Sequence, residues 1–156
     1  ATNGYAAGGL SPPGPSRTTK IDKFPFSTDA NATTIGNLTV AKTDVTGQSS
    51  TSHGYVSGGN ETGPLYGPSY NDTITTIEKF PFASDADATE IADLSVSRAF
   101  SAGQSSISHG YTSGGHSESL TSYTNIIDKF PFSSDANATD VGDISKHRSE
   151  STGHQS

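Results

Sequence analysis

The chain repeats itself three times, and nothing else in it restricts the fold as strongly. KFPF stands at 23–26, 79–82 and 129–132, DA-(N/D)-AT at 29–33, 85–89 and 135–139, and GY followed by GG at 4–9, 54–59 and 110–115. Between Lys23 and Tyr55 and between Lys79 and Tyr111, 19 of 33 aligned residues are identical. Repetition at this period marks a stack of one supersecondary unit, which cannot bury its apolar face alone and uses its neighbours to do so. The sequence therefore reads as a single array over 1–156, with units of about 1–53, 54–109 and 110–156.

The units are fixed in one half and free in the other. From each KFPF lysine to the glycine of the following GQS or GHQS (Gly47, Gly103, Gly153) the spacing is always 24 residues. From the GY tyrosine to the next KF lysine it is 18, 24 and 18 residues. The variable stretches, such as LSPPGPSRTT after Gly9 and HSESLTSYTN after Gly115, are loop-like in their Pro, Gly and hydroxyl content. Insertions in repeat arrays collect on one face, so one face is expected to vary.

The fixed halves read as short strands. TTIEKFPF is β-branched and aromatic, ATEIADLSV spaces Ile91, Leu94 and Val96 across a half-buried strand, and QSSIS and YTSGG alternate small and larger residues. No window has a 3.6-residue apolar face. Hydrophobic residues make up 29% of the chain while Ser and Thr fill 45 of 156 positions, which leaves too little Leu-type surface for packed helices. Four short strands in each unit predict an all-β fold of propeller type.

In the order GQSSxSHGYxSGG, variable loop, IEKFPF, SDADAT, EIADLSVSR, the unit resembles the Kelch type of β-propeller repeat. The features that carry the resemblance are Gly58 and Gly59, Phe80 and Phe82, Asp85 and Asp87, and Arg98, with Arg148 and Lys42 at the matching places. The family's tryptophan after the turn is missing. The KFPF, DANAT, GQSS and HGY runs also resemble repeats in proteins of aquatic viruses and bacteria, mostly uncharacterised. The resemblance implies a β-propeller-like array of three four-stranded blades, incomplete as a closed ring on its own, since such rings need about 4–8 blades. The chain starts at the second strand of a unit and stops at the beginning of a first strand, so an excerpt of a longer array, a ring completed by two or more chains, or a filament is expected over a free monomer.

Several polar groupings invite chemistry. Alternate oxygens in the turns, Asp29 and Asn31, Asp85 and Asp87, Asp135 and Asn137, could meet a calcium ion, although the full loop signature is absent and Asx turns explain the same residues. No other cofactor is expected. His53 and His109 recur in SHGY beside serines; a catalytic group duplicated in each unit is unusual, so both are read as structural imidazoles. Asn31, Asn37, Asn60, Asn71 and Asn137 stand in Asn-x-Ser/Thr triplets, with Asn60 and Asn71 expected to be the most accessible to glycosylation. Tyr66, Tyr70 and Tyr123 in the variable stretches either form a ligand-binding face or cap the edges of the units.

The net charge of −7 and the lack of any Lys/Arg cluster argue against nucleic acid as a partner, and no apolar run reaches the roughly 20 residues that cross a bilayer. The absence of Cys excludes a disulfide framework and thiolate chemistry. The expected role is a non-enzymatic structural and adhesive module of an extracellular or virion-surface assembly, such as a tail fibre. Its partners would be further copies or blades and a glycan or surface protein. A self-assembling filament subunit is the alternative, as is a fragment of a Kelch-type propeller enzyme.

Overall fold

A computed structural model describes residues 2–13, 16–61 and 72–155. The described residues contain strands and no helix: β1 (Asn3–Ala7), β2 (Leu10–Ser11), β3 (Ser16–Pro25), β4 (Thr33–Lys42), β5 (Thr46–Ser49), β6 (His53–Ser57), β7 (Thr76–Pro81), β8 (Thr89–Asp93), β9 (Ala102–Ser105), β10 (His109–Ser113), β11 (His116–Ser117), β12 (Ser122–Tyr123), β13 (Ile126–Pro131) and β14 (Thr139–Asp143). They form three four-stranded antiparallel sheets and one two-stranded hairpin, β11–β12. The second sheet runs β5-β6-β7-β8 and the third β9-β10-β13-β14, each a meander. The all-β expectation and the four-strand count hold.

The first sheet differs. Its β1, β3 and β4 match the last three strands of the others, but its fourth strand is the short β2, which extends β3 outward. Among the described residues no strand pairs with the inner edge of β1, where β6 and β10 receive β5 and β9. The second and third sheets also cut across the sequence units, because each takes its first strand from the GQS at the end of the preceding unit. Two of the stretches read as loops contain strand pairing: β2 on β3 and β11 on β12. The cross-strand pairs are Leu10 with Arg17 and Ser11 with Ser16 in β2–β3, and His116 with Tyr123 and Ser117 with Ser122 in β11–β12, so hydroxyl and aromatic pairs supply the side-chain contacts of the second ribbon.

Register explains the recurrent aromatic. Gly4 faces Phe24, Gly54 faces Phe80 and Gly110 faces Phe130 across the β1–β3, β6–β7 and β10–β13 ladders. In each pair the ring lies over the glycine; a Cβ on Gly54 would come within 2.2 Å of the Phe80 ring. The expected strand over ATEIADLSV ends at Asp93, and Leu94 turns inward just beyond it. Likewise QSSIS ends as a strand at Ser105, leaving Ile107 97% exposed at a turn.

The core lies in two layers between sheets. Ile21, Leu38, Val56, Phe80 and Ala88 fill the first; Tyr55, Ile77, Ala92, Leu94, Phe130 and Ala138 fill the second. Both layers are closed by a stacked Tyr–Phe pair, Tyr5 on Phe82 and Tyr55 on Phe132, at centroid distances of 4.7 Å.

Candidate functional site

Between neighbouring sheets the same polar device occurs twice. Lys42, at the end of β4, meets Glu78 of β7, and Arg98, after β8, meets Asp128 of β13. All four side chains are fully buried. Such charges persist out of water only when paired and further hydrogen-bonded. Glu78 accepts from the amide and the hydroxyl of Thr39, both at 2.9 Å, and Lys42 donates to Thr76 Oγ1 at 3.1 Å. Asp128 accepts the Ser95 amide at 2.9 Å, and Arg98 donates to the Gly114 and Ile126 carbonyls at 3.3 and 3.0 Å. Burial lowers the Arg98 pKa from its ordinary value, and Asp128 opposes that shift.

The second and third of the turns in which alternate oxygens were expected also grip the adjacent sheet. Asp85 takes Lys23 at 2.5 Å and Asp135 takes Lys79 at 2.6 Å. The Asp85 carboxylate raises the Lys23 pKa above its ordinary value, against a smaller effect of desolvation. Asp87 accepts from the amide and side-chain nitrogens of Asn37 at 2.8 and 3.0 Å, and Asn137 accepts from the Asp93 amide at 3.0 Å. The Ala88 and Ala138 amides donate to the Asn37 and Asp93 carbonyls at 2.8 Å, so this main-chain bond recurs at the same register in both seams. Asp29 and Asn31, in the first turn, are exposed. Among the described residues no three His, Cys, Asp or Glu side chains converge as a metal site.

Along the inner strands, small residues permit close approach. A Cβ on Gly103 would lie 2.2 Å from the Gly47 carbonyl oxygen, and one on Gly153 would lie 2.0 Å from that of Gly103. Beside this line, buried Gln48 donates to Ser57 Oγ (2.9 Å), Thr112 Oγ1 (2.8 Å) and the Tyr111 carbonyl (3.1 Å), joining the second sheet to the third through hydroxyls. The Ser49 amide donates to Ser105 Oγ at 2.9 Å. An open cleft of about 1080 Å³ runs along the bare edge of β1, between Asn3, Tyr5 and Ala7 on one side and Gly47, Gln48 and Ser49 on the other.

The remaining sequence candidates are dispersed. Tyr66, Tyr70 and Asn71 lie outside the described residues. Tyr123 is exposed on β12, edge-on to His116 at 5.7 Å. His53 and His109 each meet the hydroxyl of the preceding serine, Ser52 and Ser108, at 2.8 Å, a contact inside one tight turn. Asn60, expected to be accessible, is 3% exposed, because its backbone bridges Thr43 and Thr73 and its amide donates to Asp44. Asn37 and Asn137 are the seam residues already described, and Asn31 is exposed. Sequence reasoning missed the acid before each KFPF lysine, Glu78 and Asp128, whose signal was its recurrence next to a basic residue 20 positions on.

No protein-family model and no curated protein matches the chain. Among solved structures it is similar to YjhT, with a TM-score of 0.74 and 11% identity, over 95% of this chain and 51% of that one. The likeness is one of fold, and the chain spans about half the length of that structure.

Proposed function

We propose that the three sheets are consecutive blades of a β-propeller-like array of Kelch-like repeats, and that the chain is a non-enzymatic structural and adhesive module of an extracellular or virion-surface assembly. The observation that carries this reading is the division of labour within each repeat. Both seams use the same ion pair, the same turn grip and the same aromatic stack at matching registers. The stretches that vary in length hold exposed Leu10, Leu120 and Tyr123 on short ribbons. A rigid frame bearing variable, partly apolar loops is how recognition surfaces are commonly built. The Ser–His contacts fit a frame too, since they recur in both turns, whereas a reaction centre is a single asymmetric assembly.

The ligand would be a glycan or a surface protein held against the β11–β12 ribbon. A glycan array and a cell-surface binding assay with the labelled chain test this. Binding that Tyr123→Ala with Leu120→Ser abolishes, at an unchanged melting temperature, is the expected result. Binding that survives the double change removes the ribbon from the site, and catalytic turnover of an array glycan would replace the adhesive reading with an enzymatic one.

A further inference from the structure

We infer that the two seams carry different and mutually incompatible polar keys, Lys42–Glu78 with Asn37–Asp87 and Arg98–Asp128 with Asp93–Asn137, by which each sheet selects its proper neighbour. This rests on the repeats and the two seams between them, and on no ligand. Near-identical units need such a device. With 19 of 33 aligned residues the same, the first sheet could dock on the third as well as on the second.

Most seam contacts cannot tell the neighbours apart. The turn grip is Lys on Asp at both, the stack is Tyr on Phe at both, and the main-chain bond starts from an alanine amide at both. The buried pair differs, and in a compensated way. Arginine reaches further than lysine, and aspartate falls one methylene short of glutamate, so the two pairs span the same gap with opposite divisions of length. A third residue changes with them. Lys42 donates to the Thr76 hydroxyl at 3.1 Å, whereas Ile126 stands at that register in the third sheet and Arg98 bonds its carbonyl at 3.0 Å. Lys42 set against Asp128 would fall short of its partner, and Arg98 set against Glu78 would be crowded by it. Either misfit sits where all four side chains have no exposure, so the cost is that of a poorly paired charge out of water.

The turns carry the second half of the key. Asn37 and Asp93 occupy one place in β4 and β8, and each accepts a threonine hydroxyl of its own sheet on Oδ1, from Thr19 at 3.0 Å and from Thr75 at 2.6 Å. Across the seam the side-chain nitrogen of Asn37 donates to Asp87 at 3.0 Å, and Asn137 accepts the Asp93 amide at 3.0 Å. Each seam thus holds one amide and one acid, in inverted order. The first sheet docked on the third would set Asn37 against Asn137 and lose its charged acceptor. A second sheet docked on the like face of another copy would set Asp93 against Asp87, carboxylate on carboxylate. Contacts that discriminate combine attraction to the right partner with repulsion of the wrong one, and both are present here.

Denaturant unfolding and refolding of the whole 156-residue chain test the inference. Lys42→Arg and Glu78→Asp, each alone, should raise the unfolding equilibrium constant by about tenfold or more, and together should return it to within about threefold of the unaltered chain. Asn137→Asp alone should raise it by about fivefold, and Asp93→Asn added to it should reverse the rise. A further chain duplicates the key: Arg98→Lys, Asp128→Glu, Ile126→Thr, Asp93→Asn and Asn137→Asp give the second seam the residues of the first. At equilibrium it should form the same sheets, but on refolding a misdocked fraction should appear as an added slow phase that the unaltered chain lacks. Additive effects within either pair would overturn the inference. So would a key-duplicated chain that refolds as fast and as completely as the unaltered one, or one that fails to fold with residues the first seam already accommodates. Loss of glycan binding touches none of these outcomes.

Discussion

Arg98 reaches from the end of the second sheet to Asp128 in the third, and neither side chain has any exposure to water. Its guanidinium is also tied to two carbonyls of the third sheet, Gly114 and Ile126. Removing the carboxylate strands a cation among groups that cannot release it. Asp128→Ala should therefore cost about 3–5 kcal/mol in denaturant unfolding. Arg98→Met with Asp128→Leu removes both charges and should recover part of that loss, since a buried pair is roughly exchangeable with apolar side chains. Recovery stops short of full because the two carbonyls lose their donor. If the double variant were less stable than Asp128→Ala, the pair would be a net source of stability and not a tolerated burial.

Gly114 has φ +64°, in the left-handed region, and a Cβ there would lie 2.7 Å from the Arg148 carbonyl oxygen. Backbone strain and collision act together at this position. Gly114→Val should destabilise by about 2–5 kcal/mol, and Gly114→Ala by less. Thermal melting of the two variants checks the order; equal, negligible losses would mean that the GG step is only a linker.

How far the sequence revealed the fold follows from which forces leave a periodic trace. The strands at Thr76–Pro81 and His109–Ser113 were legible, since alternation and β-branching are set by a sheet's two faces. The end of β8 was not, because Leu94 keeps its apolar signal after the ladder has stopped and it turns into the seam. The seam itself was hidden for a different reason. Lys42 and Glu78 read as surface residues in any one repeat, and only packing 36 residues apart buries them together. The Asp and Asn of the turns were visible as residues with oxygens to offer. Their acceptance of donors from the next sheet depends on a contact that no local pattern encodes.

Those turn oxygens make a prediction about metal. Asp85 and Asp135 hold lysines, and Asp87 and Asn137 hold backbone amides of the adjoining sheet. Adding calcium or a chelator should leave the melting temperature unchanged. Asp87→Ala should cost more than Asp135→Ala, whose ion pair is more than half exposed on the acidic side and is worth about 0.2–1 kcal/mol. A rise in melting temperature with calcium that Asp85→Asn abolishes would show that these turns bind the metal.

Lys23 supplies a prediction with a sign in pH. Asp85 raises its folded-state pKa above the ordinary value, so the folded protein holds this proton more tightly than the unfolded chain. The contribution is complete below the ordinary lysine value of 10.5 and is lost as pH rises through the raised value. The stability difference between the unaltered chain and Lys23→Met should be flat through neutrality and shrink only in strong alkali. A difference that instead grew with alkali would contradict the pairing.

Phe130 and Phe24 occupy the same place in their repeats and face glycines in the same register, Gly110 and Gly4. Their surroundings differ: Phe130 is fully buried in the layer between the second and third sheets, and Phe24 is at the open face of the first. Phe130→Ala should cost about 3–5 kcal/mol, the usual loss for a buried aromatic. Phe24→Ala should cost much less, because this ring is 36% exposed where Phe130 is fully buried. Denaturant unfolding curves of both variants compare the two costs, and a Phe24→Ala penalty as large as that of Phe130→Ala would contradict the difference in burial.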